Sequence, residues 1–120
     1  MKSENVLQQK SFAFAIRIVN AYKYIVKQHS EYVLSKQLLR CGTSIGANVE
    51  ESIGAQSKAD FISKLSIAYK ETRETIYWIN LLHATGYLDD EQKDSIVEDA
   101  NELAKIIGKI QVTLKNKPIT

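Results

Sequence analysis

Four blocks of apolar residues recur at steps of three and four, joined by short polar connections, and that pattern restricts the chain to helices packed side by side. In the first block, Phe12, Ala15, Ile16, Val19, Tyr22 and Val26 predict a helix over 12–29 with these side chains turned inward. The polar run Gln28-His29-Ser30-Glu31 ends it. Ser30 or Ser35 is the expected cap of the next helix, because a hydroxyl there can accept a bond from a free backbone N–H.

The second helix is expected over 33–54. Its stripe of Leu34, Leu38, Cys41, Ile45, Asn48 and Ser52 turns from large aliphatic to small and polar along its length. Gly42 and Gly46 lie one turn apart, and each costs about 1 kcal/mol relative to alanine in a helix interior. Two readings account for that cost. Gly42, Gly46 and Ala47 form a tight helix contact, within the chain or between subunits, or the helix breaks at Gly42-Thr43-Ser44.

A third helix is predicted over 58–85 from Phe61, Leu65, Ala68, Ile76, Ile79 and Leu82, with Thr72 as a polar interruption. Ser57 is its expected N-cap, Asp60 stands at the reciprocal capping-box position, and Gly86 suits a left-handed stop. The fourth, over 89–115, starts on Asp89 and carries Ile96, Ala100, Leu103, Ile107, Ile110 and Leu114 at heptad spacing. Asp90, Glu91, Asp94, Glu98 and Asp99 fill its first half and Lys105, Lys109 and Lys115 its second. That polarity complements the helix dipole and explains the acidic run without a ligand.

Three short connections make neighbouring helices antiparallel. The expected fold is therefore all-α, a single domain over 1–120 folded as an antiparallel up-down-up-down four-helix bundle. A chain of 120 residues buries one core without disulfides or metals. The only cysteine, Cys41, excludes an intrachain disulfide, and the start Met1-Lys2-Ser3-Glu4-Asn5 has no signal-like apolar run, so a cytoplasmic location is expected. Charged residues interrupt every apolar segment well before the roughly 18 residues a membrane span needs. The only proline is Pro118, near the end. Tyr69, Tyr77 and Trp78 fall off the stripe of the third helix, which suggests a second apolar face and self-association.

The formal net charge is +2, from seven Lys or Arg against four acids in residues 1–57 and nine against ten in 58–120. Lys10, Arg17, Lys23, Lys27, Lys36 and Arg40 are the candidate phosphate contacts. His29 and His83 lie near helix ends with no cysteine or carboxylate at ligand spacing, so each reads as a surface or capping residue and no metal is expected. Cys41 has no histidine or lysine one turn away and reads as a buried structural thiol. There is no phosphate-binding glycine loop, nucleophile elbow or Glu-x-x-His pair. No enzyme and no cofactor are expected. Asn48, Glu51 and Ser52 read as a polar cluster with partners among Lys70, Thr72 and Arg73.

The run Thr43-Ser44-Ile45-Gly46-Ala47-Asn48-Val49-Glu50-Glu51, followed by Lys58 to Ala68 and by Glu74, resembles the signature of the four-helix-bundle proteins first noticed in ribosomal RNA intervening sequences. The matching positions are Ser44, Ile45, Asn48, Glu51, Phe61, Leu65, Ala68 and Glu74, and the likeness extends from about Phe12 to Leu114. Glu50 stands where that family commonly has a small residue and Ser52 where it commonly has glycine.

The resemblance implies an antiparallel bundle that assembles into a ring-shaped pentamer, with no catalytic activity. It marks Ser44, Asn48, Glu51 and Glu74 as a family-motif polar network. A related, strongly basic branch serves diversity-generating retroelements, where it binds nucleic acid and contacts the reverse transcriptase. Two functions follow as expectations. One is a non-enzymatic homo-oligomeric module that docks a protein partner. The other is a nucleic-acid-binding accessory protein using the six cations named above; at a net charge of +2, its binding to RNA or DNA is expected to be weak.

Overall fold

Leu7, Ser11, Phe14, Ile18 and Ile25 repeat at heptad spacing, and in the computed structural model, which describes residues 2–116, they form the buried face of α1 (Lys2–His29). This corrects the expected start at Phe12, because Leu7 and Ser11 continue the inward stripe upstream. It also corrects the expected inward face. Phe12 is 68% and Ile16 50% exposed, while Ala15, Val19, Tyr22 and Val26 are only half-buried. Two apolar stripes share α1, rotated by about 100°, the turn of one residue. The helix can press only one of them into the bundle centre.

Ser30 takes a left-handed conformation (φ 52°) and ends α1. The carboxylate of Glu31 then accepts the backbone N–H groups of Val33 at 2.9 Å, Leu34, and Ser35 at 3.1 Å. So α2 (Leu34–Ile53) is capped by Glu31, not by Ser30 or Ser35. A carboxylate satisfies three free donors where a hydroxyl satisfies one, and its charge favours the positive end of the helix dipole. Ser35 is buried instead, donating its hydroxyl to the Glu31 carbonyl at 2.7 Å.

The other two starts use the predicted N-caps, although the reciprocal half of the box expected from Asp60 does not form. Ser57 Oγ accepts the Asp60 N–H at 3.0 Å to open α3 (Lys58–Ala84), and Gly86 lies just past its end with φ +90°. Asp89 and Gln92 form a reciprocal capping box at 2.7 and 2.9 Å to open α4 (Asp90–Lys115). Pro118 lies outside the described residues.

Each helix packs on its chain neighbours, and α4 closes back on α1, while among the described residues the backbones of diagonal helices stay apart. The result is an up-down bundle of 55 × 22 × 20 Å. Its radius of gyration, 15.2 Å, exceeds the roughly 14 Å of a globular chain of this length. A rod this slender leaves much of every helix at the surface.

The stripe predicted for α2 is inside: Leu38, Cys41, Ile45, Asn48 and Ser52 are buried, with Leu34 partly so. Leu65, Ala68, Thr72, Ile79 and Leu82 face them from α3, and Ile96, Ala100, Leu103, Ile107 and Ile110 from α4. Buried hydroxyls bond within their own helices, Thr72 to the Ala68 carbonyl at 2.8 Å and Thr75 to that of Glu71 at 2.7 Å. No buried side-chain donor or acceptor is left unpartnered among the described residues, as a stable interior requires.

The helix runs unbroken through Gly42 and Gly46. A Cβ on Gly42 would stand 2.8 Å from both γ-carbons of Ile18, and one on Gly46 would stand 3.3 Å from the Ser11 carbonyl oxygen. The close approach is therefore within the chain, between α1 and α2. Ala47, grouped with these glycines on sequence grounds, is instead exposed, since it lies one residue round the helix from the contact line.

Candidate functional site

The residues of the family motif do not join in one network. Asn48 Nδ2 donates to the Ser44 carbonyl at 2.9 Å and to Ser44 Oγ at 3.1 Å, a bond between successive turns of α2. Glu51 is exposed and pairs with Lys64 at 3.3 Å, not with Lys70 or Arg73. Glu74 takes the indole N–H of Trp78 at 3.0 Å and the guanidinium of Arg40, which also reaches Glu71 at 3.4 Å. These groups tie α2 to α3 along an outer edge. Among the described residues no carboxylate is buried, which avoids the cost of burying a charge.

The six candidate cations divide into two sets. Lys10 is bound to Glu102 at 2.5 Å, Arg17 to Asp99 at 2.7 Å and to Ser95, and Arg40 to the α3 carboxylates. These three are structural pairs between helices. Lys23, Lys27 and Lys36 are exposed near the end of the bundle that holds the α1–α2 and α3–α4 connections, without an ion-pair partner among the described residues.

His83 has a carboxylate partner that sequence spacing did not suggest. Its Nε2 lies 2.5 Å from Asp90 Oδ1, across the α3–α4 turn. The hydrogen bond with His83, and then its charge, hold the Asp90 carboxyl below its ordinary pKa. His29 packs edge-on between Tyr24 and Tyr87. Among the described residues no three His, Cys, Asp or Glu side chains converge as metal ligands, and no helix is long and apolar enough to cross a membrane. Cys41 is buried as predicted, with a pKa pushed up to about 11 chiefly by burial. A thiol so far from ionising is a poor nucleophile at neutral pH.

The structure exposes a surface that sequence reasoning assigned to the core. Between α1 and α2 runs a shallow groove of about 260 Å³ whose walls are Phe12, Ala15, Thr43 and Ala47 over the bare backbone of Gly46. Gln8 bonds to Glu50 at 2.7 Å at its rim. Below Phe12, Ile16 continues the apolar strip, and Lys23 and Lys27 follow it. The available signal was the second heptad stripe beginning at Leu7: a helix with two apolar stripes in a four-helix bundle has one to spare.

The fold and this motif have known relatives. The model of the 23S rRNA-intervening sequence proteins matches residues 3–109. The chain belongs to that family. A crystal structure of a Bacteroides thetaiotaomicron protein of unknown function from the S23 ribosomal protein family is 52% identical, covers 88% of this chain and 97% of that one, and superposes with a TM-score of 0.87. Comparison with curated proteins gives no match. The four-helix fold described above is thus shared with that crystal structure.

Proposed function

We propose that this protein is a non-enzymatic helical-bundle module that assembles with copies of itself and offers the assembled surface to a protein partner. The observation that carries the reading is the outward stripe of α1, where Phe12 is 68% exposed and Ile16 50%. Large apolar side chains in a row on a small bundle, beside a groove floored by glycine, have the character of an interface core. A ring of five copies is the count that the family resemblance implies. Light scattering in dilute buffer tests it: the expected mass is several times 13.6 kDa, and a single chain at micromolar concentration overturns the reading.

A second reading has its own observation. Lys23, Lys27 and Lys36 lack ion-pair partners among the described residues and share one end of the bundle, the arrangement of a small phosphate-binding patch. Nucleic-acid binding by an accessory protein then rests on these three rather than on six. Three phosphate contacts give a slope of about −2 to −3 in log affinity against log salt. Changing the three lysines to glutamine is expected to abolish any RNA or DNA binding seen at low salt. No binding even at low salt removes this reading and leaves the assembly module.

A further inference from the structure

A second outward stripe lies on α3. Ile67, Lys70, Glu74 and Tyr77 follow one another at successive turns on its outward side, Tyr77 being 59% and Ile67 38% exposed. Resting on the self-assembly reading above, we infer that the Phe12 and Ile16 stripe of one copy packs on the Ile67 and Tyr77 stripe of the next, head to tail and at equal height.

The heights come from contacts between helices. Ser11 lies against Gly46 and Gln8 bonds Glu50, so Phe12 is level with Gly46 of α2. Glu51 pairs with Lys64 and Arg40 with Glu71 and Glu74, so Gly46 is in turn level with Ile67 of α3. Lys23 follows Phe12 by eleven residues and Tyr77 follows Ile67 by ten, about 16 and 15 Å along their helices. The two stripes therefore match in order and spacing: apolar opposite apolar, and Lys23 opposite Tyr77 and Glu74.

A closed ring makes such a match necessary. Cyclic symmetry rotates one copy onto the next without a rise, so when bundles stand along the axis, contacting groups must lie at one height. Charge agrees with this docking. Lys23 has no ion-pair partner among the described residues and would meet the face of a tyrosine beside a carboxylate, a setting that attracts cations. Lys70, level with Ile16, lies between Ile67 and Glu74 on the stripe and can lay its aliphatic stem along the isoleucine.

Two substitutions on exposed positions test the pairing without touching the core. Ile16→Lys spoils the α1 stripe and Tyr77→Lys the α3 stripe, each placing a lysine opposite another lysine. With the helical circular dichroism spectrum and thermal melting kept as controls, each variant is expected to fall from the wild-type assembly to a single chain in light scattering. Mixed, the variants are expected to form a discrete pair of two chains, because the intact α1 stripe of Tyr77→Lys still fits the intact α3 stripe of Ile16→Lys and no further contact can form. Variants that stay assembled overturn the surface while leaving self-assembly standing, and a mixture that stays monomeric overturns the head-to-tail pairing. A monomeric wild type overturns the assembly reading itself.

Discussion

α1 is held by two unlike seams. Toward α2 it is pressed against Gly42 and Gly46, with the Ile18 γ-carbons and the Ser11 carbonyl occupying the space where side chains would be. Toward α4 the contact is looser and polar: Arg17 reaches Asp99 and Ser95, and Lys10 reaches Glu102 at the edge of an open cleft beside Phe14 and Leu103. Close packing and ion pairs do different work. Dispersion and burial in the first seam are large and insensitive to salt, whereas exposed ion pairs lose most of their attraction to solvation and to the entropy of fixing long side chains. The α2 seam should carry the stability, and the α4 seam mainly the register.

The largest effect is expected at the centre of the close seam. Ile18→Ala should destabilise by about 2–5 kcal/mol in chemical denaturation, the range for emptying a buried isoleucine site. Gly42→Ala alone should also destabilise, because its new Cβ overlaps Ile18. The double variant should then cost less than the sum, since the alanine partly fills the space that isoleucine vacates. Strict additivity would show that the two residues are not in contact.

Gly46→Leu should cost about 1–3 kcal/mol by overpacking against the Ser11 backbone. The neighbouring Ala47→Leu, on an exposed site, should leave melting of the single chain nearly unchanged. Equal effects at the two positions would mean that the helices separate here easily. On the other seam, Arg17→Met is expected to lose no more than about 1 kcal/mol, and less at high salt, because both members of its pair are over a third exposed. A larger, salt-independent loss would reverse the ranking of the seams.

Cys41 offers the mildest test, since it perturbs nothing at neutral pH. Alkylation by iodoacetamide should proceed only as fast as the bundle opens. Above pH 9 the sign is defined: burial raises the thiol from 9.0 to about 11, so between those values the unfolded chain releases a proton that the folded chain keeps. Stability should fall as pH rises through that window, and Cys41→Ala should remove this part of the fall. Fast labelling of the native protein at neutral pH would place the thiol in a loose region.

The two helix stops, at the polar run after Val26 and at Gly86, and the two caps at Ser57 and Asp89 were legible because such a signal and the helix it serves are neighbours in sequence. The stripes of α2 and α4 were legible because each of those helices has one dominant apolar face, and that of α3 because its outward large apolar residues, Ile67 and Tyr77, are few. The N-cap of α2 was misread because Glu31 acts through a left-handed residue, Ser30, and the ordinary preference for a hydroxyl cap does not register that turn. The polar motif was legible only in part. Of Ser44, Asn48, Glu51 and Glu74, which the family resemblance groups together, Ser44 and Asn48 bond within α2, but Glu51 and Glu74 take Lys64 and Arg40, partners chosen by which side of the α2–α3 edge each faces.

Local information thus determined that this chain makes four helices, two of them with legible caps, that they alternate in direction, and that α2 carries a line of small residues. Periodicity is a property of each helix alone, so the sequence is sufficient for it. Only the tertiary structure decided which of the two stripes on α1 is core and which is surface. Either stripe could face inward by itself; Ile18 wins because its side chain fits over Gly42 while Phe12 and Ile16 have nothing in the same chain to cover them. The same decision sorted the cations, since Lys10 and Arg17 turn toward α4 acids and Lys23 and Lys27 toward solvent only once the rotation of α1 is set.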